Sequence, residues 1–326
     1  MSVLLSPAAA WASKPVVTVA SDGSAQYRTV QAAVDAAPED GGEVIRIQPG
    51  TYREKVFVAK NGIEFRGQGK KPEDTLITWD DSAGRAGGTN KSYTLGVTGN
   101  DFIATDLTIE NNFEKLHGRT EQGSQAVALM VSGDRELFRH VRLLGYQDTL
   151  YAQSKTCHNS TDPTDQACQA SRQLFEDCYI AGHVDFIFGD SKAVFKDCEL
   201  HAMQHFEVML TAQSKVYPLE DSGYLFLNTT VTSDPGVGHI SLGRPWRAYA
   251  RVYFVNTKVV KPAVITPEGW REWSGKLATA DYAEYNTGPG DDVSKRLAPS
   301  RQLTKDEVKK LTVKNWLPGW DAEAVK

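Results

Sequence analysis

The sequence predicts an all-β chain wound into a parallel solenoid, and three observations carry that prediction. A short strand motif recurs at uneven spacing, cysteines fall at one register position of that motif, and helical patterning is scarce. Phe175-Glu176-Asp177-Cys178-Tyr179-Ile180 returns as Phe195-Lys196-Asp197-Cys198-Glu199-Leu200. Looser copies, a Phe followed by four residues and an aliphatic, stand at Phe102/Leu107, Phe138/Leu143, Phe226/Val231 and Phe254/Val259. Each copy is β-branched, aromatic or alternating and is bounded by Gly, Asp or Asn, as a short strand should be. A solenoid keeps its core-facing strand in every coil while the connecting loops grow, so a constant strand at variable spacing is its expected signature. A Greek-key sandwich also supplies short strands, but it gives no reason for cysteines to recur in register.

Residues 1–14 read as a leader remnant or tail. Ala10-Trp11-Ala12 has the small-x-small form of a signal-peptide end, with no basic residue before it. Residues 15–326 then form a single solenoid domain. A helix is predicted over Thr29 to Ala37, where Val30, Ala33, Val34 and Ala37 share a face before Pro38 stops it. A second runs from about Lys305 to Leu311 behind the capping box Thr304-x-x-Glu307. The two are expected to cover the open ends of the solenoid, which otherwise expose apolar surface and strand edges. Four cysteines allow three pairings. Stacked coils would set Cys178 beside Cys198 at about 4.8 Å, within disulfide reach, leaving Cys157 and Cys168 to close the polar segment Ser154 to Ala170 as a loop between coils.

Composition narrows the function classes. The 326 residues are 40% hydrophobic and 24% charged, with Gly 27 and Pro 14, which excludes a disordered or collagen-like chain. The 36 basic and 41 acidic residues give a net charge of -5 without any run of five like charges. Nucleic acid is therefore not an expected partner. No stretch reaches the roughly 18 apolar residues of a membrane span, so no membrane partner is expected either. Neither CxxC clustering nor HExxH spacing occurs, so no metal and no cofactor is expected. The absence of a Gly-x-Ser-x-Gly elbow disfavours a serine esterase.

The register argument that aligns cysteines also aligns acids: Asp148 follows Phe138, and Asp185 follows Phe175, at the same interval of ten residues. Two carboxylates stacked at sheet spacing repel, so one ionises while the other is held protonated, giving a nucleophile or base and an acid together. Both lie in aromatic surroundings, Gly145-Tyr146-Gln147-Asp148-Thr149-Leu150-Tyr151 and Gly182-His183-Val184-Asp185-Phe186-Ile187-Phe188-Gly189, and Leu242-Gly243-Arg244-Pro245-Trp246 follows.

These three motifs resemble the pectin methylesterases (pectinesterases, carbohydrate esterase family eight), of the bacterial type. The resemblance spans nearly the whole chain, through Asp22-Gly23-Ser24, Thr29-Val30-Gln31-Ala32-Ala33-Val34, Ile47-Gln48-Pro49-Gly50-Thr51-Tyr52, Gln125-Ala126-Val127-Ala128-Leu129, Thr211-Ala212-Gln213, Ala283-Glu284-Tyr285 and Gly288-Pro289-Gly290. It implies a right-handed parallel β-helix that hydrolyses the C6 methyl esters of galacturonate in homogalacturonan, releasing methanol. Carried over by motif, it makes Asp185 the nucleophile and Asp148 the general acid/base. Gln147 and Gln125 become oxyanion donors, Arg244 the group that holds Asp185 ionised, and Tyr151, Phe188 and Trp246 the substrate-binding aromatics. Phe186 and Ile187 are read as core. A wall-polymer substrate and the even cysteine count imply secretion, extracellular or periplasmic, as a monomer whose partner is methylated pectin.

Two residues depart from the family pattern as it is known. His183 stands where a small hydroxyl residue is common and titrates usefully only if it faces the cleft, and Met130 stands where Arg or Tyr is frequent. The segment from Cys157 to Cys168 is expected either to wall the groove or to be a surface insertion. Asn90, Asn159 and Asn228 begin N-x-Ser/Thr triplets. Paired acids on a solenoid also suit a polygalacturonase-like hydrolase, a calcium-dependent pectate-type lyase or a non-catalytic pectin binder. Methanol, reducing ends or unsaturated ends as product would separate them.

Overall fold

The computed structural model describes residues 14–119, 122–155, 157, 168–288 and 292–325. Residues 1–13 of the proposed leader, Asn159 and the Pro289-Gly290 pair lie outside the described residues. Among the described residues the strands form three parallel sheets, A with eleven strands, B with eight and C with seven. One coil visits all three: Arg172–Glu176 in A, Tyr179–Gly182 in B, Ile187–Gly189 in C, then Lys192–Lys196 one layer further along A. The result is the expected right-handed parallel β-helix, with the hand that parallel crossovers take.

Inside, the repeated Phe positions form a stack. Phe138–Phe175, Phe175–Phe195, Phe195–Phe226 and Phe226–Phe254 have ring centroids 4.9, 4.8, 4.5 and 4.3 Å apart, with interplanar angles of 9°, 9°, 10° and 8°. All five are fully buried, so each gains both area removed from water and ring–ring attraction. The first copy departs from the expectation. Ala104 and Ile109, not Phe102 and Leu107, sit opposite Phe138 and Leu143. Phe102 lies two residues earlier on the same side of the chain, and its ring reaches Phe138 at 5.8 Å.

The A-to-B corner is one residue in the left-handed conformation, repeated coil after coil: Asp106, His140, Asp177, Asp197, Asn228, Asn256 and Asn286 have φ between 52° and 58°. Asp and Asn reach this region at lower strain than other L-residues, which explains the Asp that follows each strand in the motif. Cys178 and Cys198 come next, and here the expected pairing is wrong: both are free and buried. Each thiol instead meets main-chain carbonyls, Cys178 at Phe138 and Glu176 and Cys198 at Phe175 and Lys196, all at 3.4 Å. Parallel in-register side chains point the same way, so the two thiols lie as neighbours, each also satisfied by carbonyls, without being joined. Cys157 and Cys168 are disulfide-bonded as expected; residues 158–167 between them lie outside the described residues.

The first helix spans Val30–Ala36, with Thr29 as its N-cap, and contacts the first strands of sheets A and C. The second is shorter than predicted, Lys305–Val308, behind the expected capping box. It directly follows Arg301–Gln302, the last strand of sheet A, and its Val308 packs against the outer apolar cluster. The C-terminal segment runs along the outer face of sheet A, where Val313, Trp316 and Leu317 pack on Leu137, Leu174, Val194 and Leu225. Arg172 donates to the Pro318 carbonyl and Arg139 to that of Val325. An outward row of aliphatics needs such a cover. No helix among the described residues is long and apolar enough to cross a membrane.

Candidate active site

Asp148 and Asp185 occupy corresponding turns between sheets B and C. Both have left-handed backbone, φ 65° and 53°, a conformation that persists when its surroundings over-determine it. The Asp148 N–H donates to the Val184 carbonyl at 3.1 Å and the Leu150 N–H to that of Phe186 at 2.8 Å. With Leu150 opposite Ile187 and Tyr151 opposite Phe188, the two acidic turns stack one coil apart. Gly182 permits this approach: a Cβ there would lie 2.4 Å from that of Phe186 and 2.6 Å from the Tyr146 carbonyl oxygen.

Charge is divided unequally between the acids. Arg244, just beyond strand His239–Gly243, donates through Nε to Asp185 Oδ1 at 2.8 Å and through Nη2 to Oδ2 at 2.6 Å. This is a planar two-point fork on a carboxylate only 6% exposed. The fork is itself held flat, with its guanidinium carbon 4.0 Å from the Trp273 ring. Burial pushes the Asp185 carboxyl up, and the hydrogen bonds and charge of Arg244 oppose that rise. Asp148 is pushed well above the ordinary range by desolvation, then by the charge of Asp185, with Arg244 offsetting only part. The proton of the pair therefore sits on Asp148, and Asp185 is the carboxylate.

All eight catalytic and substrate-binding candidates named from the sequence line one cleft of about 510 Å³: Gln125, Gln147, Asp148, Tyr151, Asp185, Phe188, Arg244 and Trp246. Tyr151 and Phe188 stack at 4.3 Å and Trp246 meets Phe188 edge-on at 5.8 Å. Neither glutamine amide has a hydrogen-bond partner among the described residues, so both remain available to a ligand. Gln125 is placed by its main chain, its carbonyl accepting from Ala83 N–H at 2.8 Å, while the buried Asn111 amide ties Ser92 to Val127 beside it. Phe186 and Ile187 are fully buried core, as expected, and Met130 is 7% exposed in the apolar floor. Four further cleft residues, Thr89, Asn90, Ala212 and Trp273, are not among the site residues expected from the sequence. Asn90 had been read only as a glycosylation triplet, and Trp273 lies outside any strand motif; its available signal was the Trp270-x-x-Trp273 spacing after the Arg244 motif. A groove of about 590 Å³ at the A-to-B corner, over His140 and Arg142, holds none of these groups.

His183 does not face the cleft. Its ring is 2% exposed, with Nε2 3.0 Å from Glu114 Oε2, while Nδ1 accepts from the Val184 N–H at 2.7 Å. That pattern fixes a neutral ring with its proton on Nε2. Burial lowers its pKa against the opposing pull of Glu114, with Arg119 and His205 lowering it slightly further. A histidine depressed in the fold contributes stability that is complete above its unfolded value of 6.5 and is lost as pH falls below it. Urea midpoints are accordingly expected to decline as pH drops below about 6.5, with a shallower decline in His183→Gln. The pH–rate profile of that variant should keep both limbs in place; a displaced limb would put the imidazole back in the chemistry.

Among the described residues no group of three or more His, Cys, Asp or Glu side chains gathers as metal ligands would. Similarity to known proteins defines the class of this β-helix, a carboxylic ester hydrolase. The chain belongs to the pectinesterase family, whose model matches residues 16–320, and its reaction is the hydrolysis of pectin methyl esters. It is 34% identical to pectinesterase QRT1 of Arabidopsis thaliana over 93% of this chain and 77% of that protein. With pectinesterase 31 of the same plant it shares 36% identity, covering 90% and 89%. The solved pectin methylesterase from carrot superposes with a TM-score of 0.81 at 33% identity, covering 97% and 95%. These relatives are plant proteins, so the expectation of a bacterial-type member is not supported.

Proposed function

We propose that residues 15–326 act as one secreted, monomeric catalytic domain on methylated homogalacturonan, with Asp185 as nucleophile and Asp148 as general acid/base. The observation that carries this reading is the two-point Arg244 fork on one acid of a stacked pair, the other of which burial and repulsion push well above the ordinary carboxylate range. Asp185 attacks the ester carbonyl carbon, and the oxyanion so formed is met by the amides of Gln147 and Gln125. The carbon–methoxy bond then breaks as Asp148 gives its proton to departing methanol. Asp148, now a carboxylate, takes a proton from water as that water's oxygen adds to the acyl carbon. Asp185 leaves with its electron pair, and the product acid ionises in solvent. Tyr151, Phe188 and Trp246 offer apolar faces to the sugar and the ester methyl.

The deciding experiment is methanol release from highly methylated pectin with and without a chelator. Methanol at the same rate in both, with no new reducing or unsaturated ends, is expected. Chelator-sensitive release, or chain cleavage without methanol, would overturn the assignment.

A further inference from the structure

Register places one outward residue of each coil in a single row along sheet C. Phe57 is opposite Gly96, Gly96 opposite Met130, Met130 opposite Tyr151, and Tyr151 opposite Phe188. Tyr151 and Phe188 floor the catalytic cleft, yet the apolar row does not stop there. At Gly96 the missing side chain is replaced by the Tyr93 ring, whose Cε2 and Cζ lie 2.8 and 2.9 Å from where a Cβ would be. That ring stacks with Phe57 at 6.0 Å and 29°. Phe57, on edge strand Val56–Val58, is 40% exposed between two buried valines. Tyr93 is half-buried against the same floor as Met130 and Tyr151, and the exposed Phe57 ring beside it, at the end of a row that begins at a carbohydrate cleft, calls for an occupant.

We propose that Phe57 and Tyr93 form a distal sugar subsite, which takes a galacturonate ring of the same polymer chain whose ester lies over Asp185. The proposal rests on the pectin-hydrolysing reading above, and continuity with that cleft is what selects the occupant. Three coil spacings of about 4.8 Å separate Phe57 from Tyr151, roughly 14 Å, so the subsite engages only a chain several sugars long. Lys55 Nζ lies 5.0 Å over the Tyr93 ring but is bonded to Asp81 at 2.7 Å. The local charge is thereby cancelled, and recognition falls on the apolar ring face, for methylated and acidic units alike.

The test compares the wild-type chain with Phe57→Ala, Tyr93→Phe and the double variant Phe57→Ala/Tyr93→Ala. Retardation in gels containing highly methylated pectin is measured beside kcat/KM on that polymer and on methylated trigalacturonate. In the double variant the polymer-to-trimer ratio of kcat/KM should fall about tenfold, with retardation lost. Phe57→Ala, at an exposed position, should give about a third of the ratio, and Tyr93→Phe should retain it. Undiminished retardation with an unchanged ratio in the double variant would overturn the subsite, as would equal losses on polymer and trimer. A wild-type chain that is retarded yet releases no methanol would sink the catalytic reading, while the retardation of the variants still decides the subsite.

Discussion

Asp185→Asn is expected to lower kcat on methylated pectin by on the order of 10⁴-fold or more, because the uncharged amide is a far weaker nucleophile toward the ester than the carboxylate. Asp148→Asn should cost about 10²- to 10⁴-fold, the usual contribution of one positioned proton donor. Retardation in pectin gels should survive both changes, since neither acid supplies the apolar floor. The two variants should part company in stability. Asp148 is raised in the fold, so its stabilising contribution is present below its unfolded value of 3.8 and is lost as pH rises toward the folded one. Asn removes that liability, and Asp148→Asn should melt higher than wild type near neutral pH, as sites shaped for activity often do when disarmed. Asp185→Asn leaves the Arg244 fork buried without its counter-charge and should melt lower. Methanol assays and calorimetry of both variants check this. Turnover within about tenfold of wild type in either would remove that aspartate from the mechanism.

How much of this was legible in the sequence depends on which interactions are local. Strand identity and in-register repetition were readable because each coil obeys the same period-two inward pattern, and the acid pair followed from the same arithmetic. Register failed where a small residue does the work of a large one: Ala104 holds the position that Phe102 seemed to claim, since both point inward and only size distinguished them. The Cys178–Cys198 pairing failed for a related reason. Spacing alone puts the two side by side, but the direction of each thiol is set by carbonyls of the preceding coil. Nothing in the local pattern of Val313 to Leu317 tells whether those residues close the barrel end or lie along sheet A. That choice depends on an outward aliphatic row assembled from Leu137, Leu174, Val194 and Leu225, residues of four different coils. Trp273 reaches the cleft from a loop with no repeat to index it, and Glu114 finds His183 across 69 residues.

Arg244 is the residue on which the asymmetry of the acid pair depends, and its replacement separates a charge-holding role from mere packing under Trp273. In Arg244→Ala the opposing pull on Asp185 disappears and desolvation alone remains. The folded pKa of Asp185 must then climb, the carboxylate form needed for attack becomes scarcer at any acidic pH, and the acid limb of the kcat/KM profile moves to higher pH. Losing one partner of a largely buried, hydrogen-bonded charge pair costs about 3–5 kcal/mol of stability, so Arg244→Ala should also melt lower, while kcat/KM on the acid side falls about tenfold for each pH unit below the displaced limb. Arg244→Lys restores a charge without the fork and should recover part of the limb position but little of the rate, because one ammonium cannot hold both carboxylate oxygens in plane. The alkaline limb, set by loss of the Asp148 proton, should meanwhile move to higher pH or stay, because Arg244→Ala also removes the charge that partly offsets the rise of Asp148. An unmoved acid limb in both variants, with only the melting temperature lowered, would reduce Arg244 to a packing residue and leave Asp185 with no source for its charge.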